Sequence, residues 1–401
     1  MGAAWREAMH RPLGEVFSFR NEIVHPKDRP TGRCTFVGLE HVESNTGLRI
    51  GSQSVLLEEL SGRRARFKRG DIVYGYLRPY LNKVWVAEFD GICSVDQYVL
   101  KVGSNIDPSY LSHYLRSTNF LQAAPVNDSP GQLPRIRSGE LTQTPIPLPP
   151  IDEQRRIAAI LDQADAVRRK RQEAIATLVG LATSSFNFLF GDPVTNPKEW
   201  PILQLGEVGE LERGISKHRP RNDPALLGGK HPLIQTGNIA NACGVLKKFS
   251  ATYSDLGLKQ SRVWPRGTLC ITIAANIGKT AILDFDACFP DSVVGFSPGS
   301  SITSAYVQYW MESIQERLEA AAPVSAQKNI NLAILRALPI PVPSMELQLQ
   351  FEGIVREVRH SVDLQRDHAN KLNSMFASLQ HGAFNGQLTA KRTERELAEV
   401  G

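Results

Sequence analysis

The sequence predicts an α+β chain: two tandem mixed α/β domains separated by two long helices that pair as an antiparallel coiled coil, in a pseudo-twofold internal repeat. Three observations predict it. The chain repeats itself with a period near 194 residues. Each copy opens with runs that alternate apolar and polar residues. Each copy closes with a proline-rich stretch and a long amphipathic run. A solenoid repeat has a period of roughly 20–50 residues, so this longer one marks a duplicated domain with its own helix.

The duplication is visible in short segments. "LGEV" stands at Leu13 and again at Leu205, and "FKRGDIVYG" lines up with "VWPRGTLCI", placing Gly70 over Gly267. "LNKVWVAEFDGICSVDQYVL" lies over "IGKTAILDFDACFPDSVVGF", "IDPSYLSHYLRS" over "ITSAYVQYWMES", and "TPIPLPP" over "LPIPVPS". The organisation predicted is a first domain over 1–150, a long helix over 151–190, a second domain over 191–343, a second long helix over 344–386 and a charged tail over 387–401.

In the first copy "RCTFVGLEHV", "GDIVYGYL", "NKVWVAEF" and "DQYVLKV" are rich in β-branched and aromatic residues at period two and read as strands. "DPSYLSHYLRSTNFLQAA" reads as one helix capped by Asp107, with proline at its first position. "SAYVQYWMESIQERLEAAA" is the helix of the second copy. "TIAANIGKTAI" ends like a phosphate-binding loop, but Ile273 stands where such a loop needs its first glycine. Gly278 is read instead as a turn glycine between strands, with Lys279 the counterpart of Lys83.

"PIPLPP" and "PIPVPS" are stiff extended lead-ins. Asp152 and Glu153 follow at the positive end of the first long helix. Its heptad seam reads Ile157, Ile160, Ala164, Val167, Arg171, Ala174, Leu178, Leu181, Ser185 and Phe188. The second seam reads Phe351, Val355, Val358, Val362, Gln365, Ala369, Leu372, Phe376, Leu379 and Ala383. At 1.5 Å per residue each seam spans roughly 50 Å. The first helix ends at "GDPVTNPKEWP", a turn-rich loop.

The totals exclude several classes. A chain of 401 residues exceeds one small core, so two or three domains are expected. No apolar run approaches a membrane span, and "MGAAWREAMHRPLGEV" lacks the apolar core of a secretory signal, so a cytoplasmic protein with no membrane partner is expected. Cys34, Cys93, Cys243, Cys270 and Cys288 form no C-x-x-C pair and read as reduced thiols. The net charge of +5 permits a polyanionic partner without requiring one. His360 and His368 share a helix face, but no third metal ligand lies near them in sequence. An adenine methyltransferase needs an Asn/Asp-Pro-Pro-aromatic motif, and a common metal-dependent nuclease needs a carboxylate two before a lysine; the sequence has neither. The chain therefore reads as non-catalytic.

"PIPLPPIDEQRRIAAILDQADAVRRKR", "FLFGDP", "WPILQLGEVGEL", "PRGTLCITIAANIGKTAIL", "QKNINLAILRALPIPVPS" and "AFNGQL" together resemble the specificity (S) subunit of type I restriction–modification enzymes over nearly the whole chain. The second copy departs from the pattern, with "SMELQLQF" where "IDEQRRI" stands in the first; only Gln348 matches Gln154 identically. The resemblance implies two target recognition domains that each read half of a split double-stranded DNA sequence. It implies paired helices that measure the spacer and dock two modification subunits. Those partners bring S-adenosylmethionine and methylate adenine; restriction (motor-nuclease) subunits bring ATP and Mg2+. No cofactor is expected on this chain.

Candidate DNA contacts are cations for phosphates and amides for base edges. In the first domain they are Arg63, Arg64, Arg66, Lys68 and Arg69, then Arg78, Asn82 and Lys83, then Gln132, Arg135 and Arg137. In the second they are Lys217, His218, Arg219 and Arg221, then Lys247 and Lys248, Lys279, and Gln327, Lys328 and Asn329. Lys83 with Lys279, and Gln132 with Gln327, occupy corresponding places. The differing variable parts of the two copies predict an asymmetric bipartite target, with half-sites about one DNA turn apart. Two other readings compete: a protein-interaction scaffold on a coiled-coil spacer, and a self-contained DNA-modifying enzyme with an unfamiliar site.

Overall fold

The alternating run around "DIVYG" supplies the centre of a sheet, because one face of Ile72–Gly75 packs on a helix while the other meets a second sheet. A computed structural model describes residues 10–128, 131–218, 220–274, 276–321 and 330–388. The chain divides into two units: residues 1–173 with 366–401, and residues 174–365.

In the first unit a four-stranded sheet has the order Phe17–Phe19, Gln97–Val102, Ile72–Gly75, Val84–Val86. Gln97–Val102 pairs antiparallel with both its neighbours. The Pro108–Leu115 helix covers one face, burying Tyr110, Leu111, Tyr114 and Leu115 with Ile72, Tyr74, Val84 and Leu100. A second sheet has the order Ile23–Val24, Arg64–Phe67, Gly91–Ser94, Arg33–Val37, Gln53–Leu56. Val73, Trp85 and Val99 reach toward Val37, Phe67 and Cys93 in the core between the sheets.

Two predicted elements are broken where the sequence suggests one continuous run. The strand expected over "RCTFVGLEHV" is Arg33–Val37 and then a 3-10 turn, Leu39–His41, held by the Gly38 N–H on His41 Nδ1 at 3.0 Å. The single helix expected from Asp107 is two helices, Pro108–Leu115 and Thr118–Ala123. Ser117 makes the break by accepting from the Phe120 N–H at 3.1 Å, which caps a new helix. Asp107 caps the first helix as expected, accepting from the Ser109 and Tyr110 N–H groups.

In the second unit the main sheet runs Gly209–Arg213, Val293–Pro298, Leu269–Thr272, Thr280–Leu283, Gly244–Leu246. The first four match the order of the first unit's sheet. The fifth joins parallel. A separate two-stranded sheet, Leu227–Leu233 with Ala251–Tyr253, stands where the first unit has five strands. Gly278 turns the Leu269–Thr272 and Thr280–Leu283 hairpin at φ 77°, with its N–H on the Thr272 carbonyl at 2.9 Å, so it is a turn glycine and not part of a phosphate loop.

The long helices are Ile151–Phe190 and Met345–Phe384, 40 residues each. On the second, every apolar residue of the predicted seam is buried. On the first, the seam is displaced. Ile157 and Ala164 are buried, but Val167, Leu181 and Phe188 are exposed, and Leu161, Ile175, Ala182 and Phe186 are buried in their place. The seam steps four then three residues from Ile157, where the heptad spacing predicts three then four. The helix carries apolar residues on both flanks of the seam, Ile160 beside Leu161 and Leu181 beside Ala182, so spacing alone did not choose. This helix is also long and apolar enough, by length and composition, to cross a membrane. That corrects the reading of the sequence: no charged residue lies between Glu173 and Gly191, although Thr, Ser and Asn interrupt the apolar run. Its Ile175, Ala182, Phe186 and Phe190 are buried within the protein.

Cys93, Cys270 and Cys288 are buried free thiols, and burial pushes Cys93 up to about 12.

Candidate nucleic-acid interface

Two loops of the first unit meet to form the best-assembled cationic surface. One is the hairpin tip between Ile72–Gly75 and Val84–Val86; the other is the segment from Gln132 to Arg137. The Arg78 N–H donates to the Pro134 carbonyl at 2.7 Å, Leu77 bridges to Arg135, and Asn127 pairs with Arg135 on its other side. This brings Arg78, Gln132, Arg135 and Arg137 to one side of the unit. Arg78, Gln132 and Arg137 are exposed and Arg135 is half-buried. Beneath them Tyr76 stacks on Tyr98 with ring centroids 4.2 Å apart, and the Tyr98 hydroxyl donates to the Ile136 carbonyl. Burial raises the Tyr76 phenol, the Asp96 carboxylate adds to that, and the Arg135 guanidinium opposes it. The Arg135 side chain itself donates to the Leu133 carbonyl at 3.3 Å.

Two candidates turn inward. Asn82 is buried; its amide donates to the Arg116 carbonyl at 2.8 Å and to Asn45 Oδ1 at 3.1 Å. Lys83 Nζ donates to the Leu39 carbonyl at 2.6 Å. Both hold the hairpin tip in place. Lys279, at the corresponding place, is exposed and bonds Gln315 Oε1 at 3.0 Å on the Ser304–Ala321 helix. The two lysines thus share a backbone position, since Gly75 N–H reaches Lys83 O and Thr272 N–H reaches Lys279 O, both at 2.9 Å. Their side chains do different things.

The basic run splits. Arg63 and Arg66 are exposed; Arg64 is half-buried, with its guanidinium 5.2 Å from the Phe36 ring. Lys68 and Arg69 lie at the opposite end of the Ile72–Gly75 strand from Arg78. They line a groove of about 440 Å³ with Arg20, Lys101 and Arg155, at the foot of the first long helix. The Arg20 guanidinium is already matched to Asp71 at 2.6 Å.

The second unit scatters its candidates. Lys217 is exposed; His218 lies 3.1 Å from Asp223; Arg221 is ion-paired with Asp291. Lys247 is ion-paired with Asp363 of the second long helix, and Lys248 is exposed. Lys247 also lines a groove of about 690 Å³ with Arg266, Arg356 and Arg359. That groove adjoins Gly267 and the first turns of the second long helix, as the first unit's groove adjoins Gly70 and Ile151. Arg219, Gln327, Lys328 and Asn329 lie outside the described residues. Among the described residues no group of three or more His, Cys, Asp or Glu side chains is placed to hold a metal ion.

Tyr80 and Leu133, absent from the candidates that charge and amide chemistry select, are exposed on the two loops beside Arg78. "YLRPYLNKV" offered a signal in retrospect: an aromatic after Arg-Pro, between two segments that alternate.

A family model described as type I restriction modification DNA specificity domain matches residues 7–177 and again 197–373. The chain is 32% identical to the type I restriction enzyme EcoDI specificity subunit of Escherichia coli over 221 residues, which is 54% of this chain and 48% of that protein. That alignment therefore spans about half the length of the relative. It is 25% identical to the Escherichia coli EcoBI specificity subunit over 80% of this chain and 74% of that protein. A solved chain from work on complex assembly and conformational transition of the type I R-M system shares its fold, with TM-score 0.56, 22% identity, and coverage of 95% of this chain and 99% of that one. The S subunit of a type I restriction–modification system from M. genitalium also shares it, with TM-score 0.53, 16% identity, and coverage of 94% and 97%.

Proposed function

This chain belongs to the type I restriction modification DNA specificity family, and from that premise we propose that it is the specificity subunit of a restriction–modification complex in the cytoplasm. It reads a bipartite, asymmetric double-stranded DNA target and docks the methyltransferase and motor-nuclease subunits. The observation that carries this is the family match occurring twice in one chain, once in each copy of the repeat.

Residues 1–150 and 191–343 are the two target recognition domains, and 151–190 and 344–386 are spacer helices that pair as an antiparallel coiled coil about a pseudo-twofold. Contacts in the first unit support the antiparallel sense: Arg156 donates to the Leu388 carbonyl at 3.0 Å, while Arg168, further along, donates to Asn373 Oδ1 at 2.8 Å and lies over the Phe376 ring. As one helix advances the other retreats. Matched contacts support the pseudo-twofold. Gln154 accepts from Asp107 N–H as Gln348 accepts from Thr303 N–H, and Tyr110 donates to the Pro147 carbonyl as Tyr306 donates to that of Pro341. The sheets that differ between the units support two different half-sites.

Phosphate contacts come from the exposed cations Arg63, Arg66, Lys68, Arg69, Arg78, Arg137, Lys217 and Lys248, and base contacts from Gln132 and its neighbours. S-adenosylmethionine, ATP and Mg2+ are carried by the partner subunits: two modification subunits and the restriction subunits. The chain itself performs no catalysis.

The test is methylome sequencing of a host that expresses this chain with its modification subunit. A split motif carrying N6-methyladenine on both strands, lost on deletion of this chain, is the expected result. A stable complex that writes no motif would leave the scaffold reading instead.

A further inference from the structure

We propose that Tyr80 is the base-contacting side chain with which the first unit discriminates its DNA half-site; the proposal rests on the DNA-reading role above. The observation is a rigid tip with an aromatic at its apex. Tyr80 is 62% exposed, at the centre of the Pro79–Leu81 turn. The residues on either side of that turn, Arg78 at φ 51° and Asn82 at φ 52°, both adopt the left-handed conformation without being glycine. Such a conformation costs energy and persists only where the surroundings over-determine it.

Here they do. Asn82 is fastened from below by the Arg116 carbonyl and Asn45, Lys83 by the Leu39 carbonyl, and Arg78 by the Pro134 carbonyl. Pro79 is buried and fixes its own φ. Pro79 and Asn82 are buried in the turn, while the Arg78 and Tyr80 side chains are exposed. A tyrosine held this way presents a large, stiff, amphipathic surface with little entropy left to lose on contact. A single exposed tyrosine on a mobile loop would mean nothing; an immobilised one beside exposed Arg78 and Gln132 has the form of a reading head. The ring meets base edges, as apolar side chains meet the thymine methyl, or wedges at a base step, while Arg78 sits at the adjoining phosphate. The second unit has no aromatic at the corresponding tip, where Ile273 to Gly278 stand, so the effect belongs to one half-site.

The experiment uses the full chain co-expressed with its modification subunit, and reads methylated motifs genome-wide for the wild type, Tyr80→Ala and Tyr80→Phe. Tyr80→Ala is expected to admit sites that differ from the wild-type motif at one or two adjacent positions of one half, raising their methylation at least tenfold. The other half and the spacer stay unchanged, and the thermal midpoint of the purified chain does not move. Tyr80→Phe keeps the wild-type motif, because the ring makes the contact. A motif unchanged in Tyr80→Ala, a relaxation spread over both halves, or a Tyr80→Phe as relaxed as the alanine variant overturns the proposal. A wild-type complex that writes no split motif overturns the DNA-reading role, and this proposal with it.

Discussion

Gln154 and Gln348 hold the same three contacts in their own units. Gln154 accepts from the Asp107 N–H and donates to the Asn105 and Pro149 carbonyls; Gln348 accepts from the Thr303 N–H and donates to the Ser301 and Pro343 carbonyls. Both are fully buried. Each latches three chain segments: the loop entering the domain helix, the proline lead-in and the first turn of the long helix. A primary amide is the only side-chain group of that length that both donates twice and accepts, which explains an identity amid otherwise changed neighbours. Gln154→Ala strands one N–H and two carbonyls, so it should cost about 2–4 kcal/mol of stability, and Gln154→Glu, which cannot donate when ionised, should cost no less. Urea denaturation of the purified chain measures both. His113 makes a second residue-scale prediction. Its Nε2 lies 2.7 Å from Asp162 and its Nδ1 3.0 Å from the Arg116 guanidinium, so the neutral ring with its proton on Nε2 satisfies both neighbours. Burial lowers its pKa below the usual 6.5 against the pull of Asp162, and Arg116 lowers it further. The unfolded chain therefore takes the proton first: stability is full above pH about 6.5 and falls as pH drops below it. Thermal midpoints should decline between pH 6.5 and 5.5, with a shallower slope in His113→Gln; equal slopes would exclude His113 as the source.

At the scale of elements, the first long helix carries two apolar stripes and buries one. Phe186 packs against Tyr306, Tyr309 and Phe351, while Phe188, two residues on, is 80% exposed. Phe186→Ala should destabilise the chain by about 3–5 kcal/mol, and Phe188→Ala by less than about 0.5 kcal/mol, as read by denaturant midpoints. If the predicted seam were the true one the order would reverse. The same helix shows what was legible in the sequence. Its start, length and end were, because proline, the acidic first turn and the Gly-Asp-Pro stop are local signals. Its buried face was not, because apolar residues flank the seam on both sides and only the facing residues choose between them. Asp107 as a cap and Gly278 as a turn residue were legible for the same local reason. The inward turn of Asn82 and Lys83 was not: their partners Asn45, Arg116 and Leu39 lie 34 to 44 residues away, beyond any pattern of spacing. Charge suggested surface, and tertiary contacts used both residues to fasten a turn.

Over the whole molecule, the two copies keep the contacts that define backbone and change those that define charge. In the first unit Arg116 of the domain helix lies 3.8 Å from Asp165 of the first long helix, and His113 contacts Asp162. By the repeat, Arg116 corresponds to Glu312, His113 to Tyr309, and Asp162 and Asp165 to Arg356 and Arg359. The order of charge along the sequence is reversed: acid, Glu312, now stands on the domain helix and base, Arg356 and Arg359, on the long helix, where Arg359 donates to Gln308 Oε1 at 2.5 Å. This reversal bears on any exchange of domains. Replacing Leu13–Pro147 with a second copy of Leu205–Pro341 should yield a chain that reads a palindromic target, since both half-sites would then be read by one domain. The graft alone sets the new glutamate against Asp162 and Asp165, leaving like charges together where an opposite pair stood. It should unfold at a lower temperature than the parent and write its motif poorly. Adding Asp162→Arg and Asp165→Arg should recover the thermal midpoint and the palindromic motif together. Recovery of neither would mean that the reversed pair does not govern docking; a graft that keeps the asymmetric motif would mean that the domains do not read half-sites independently.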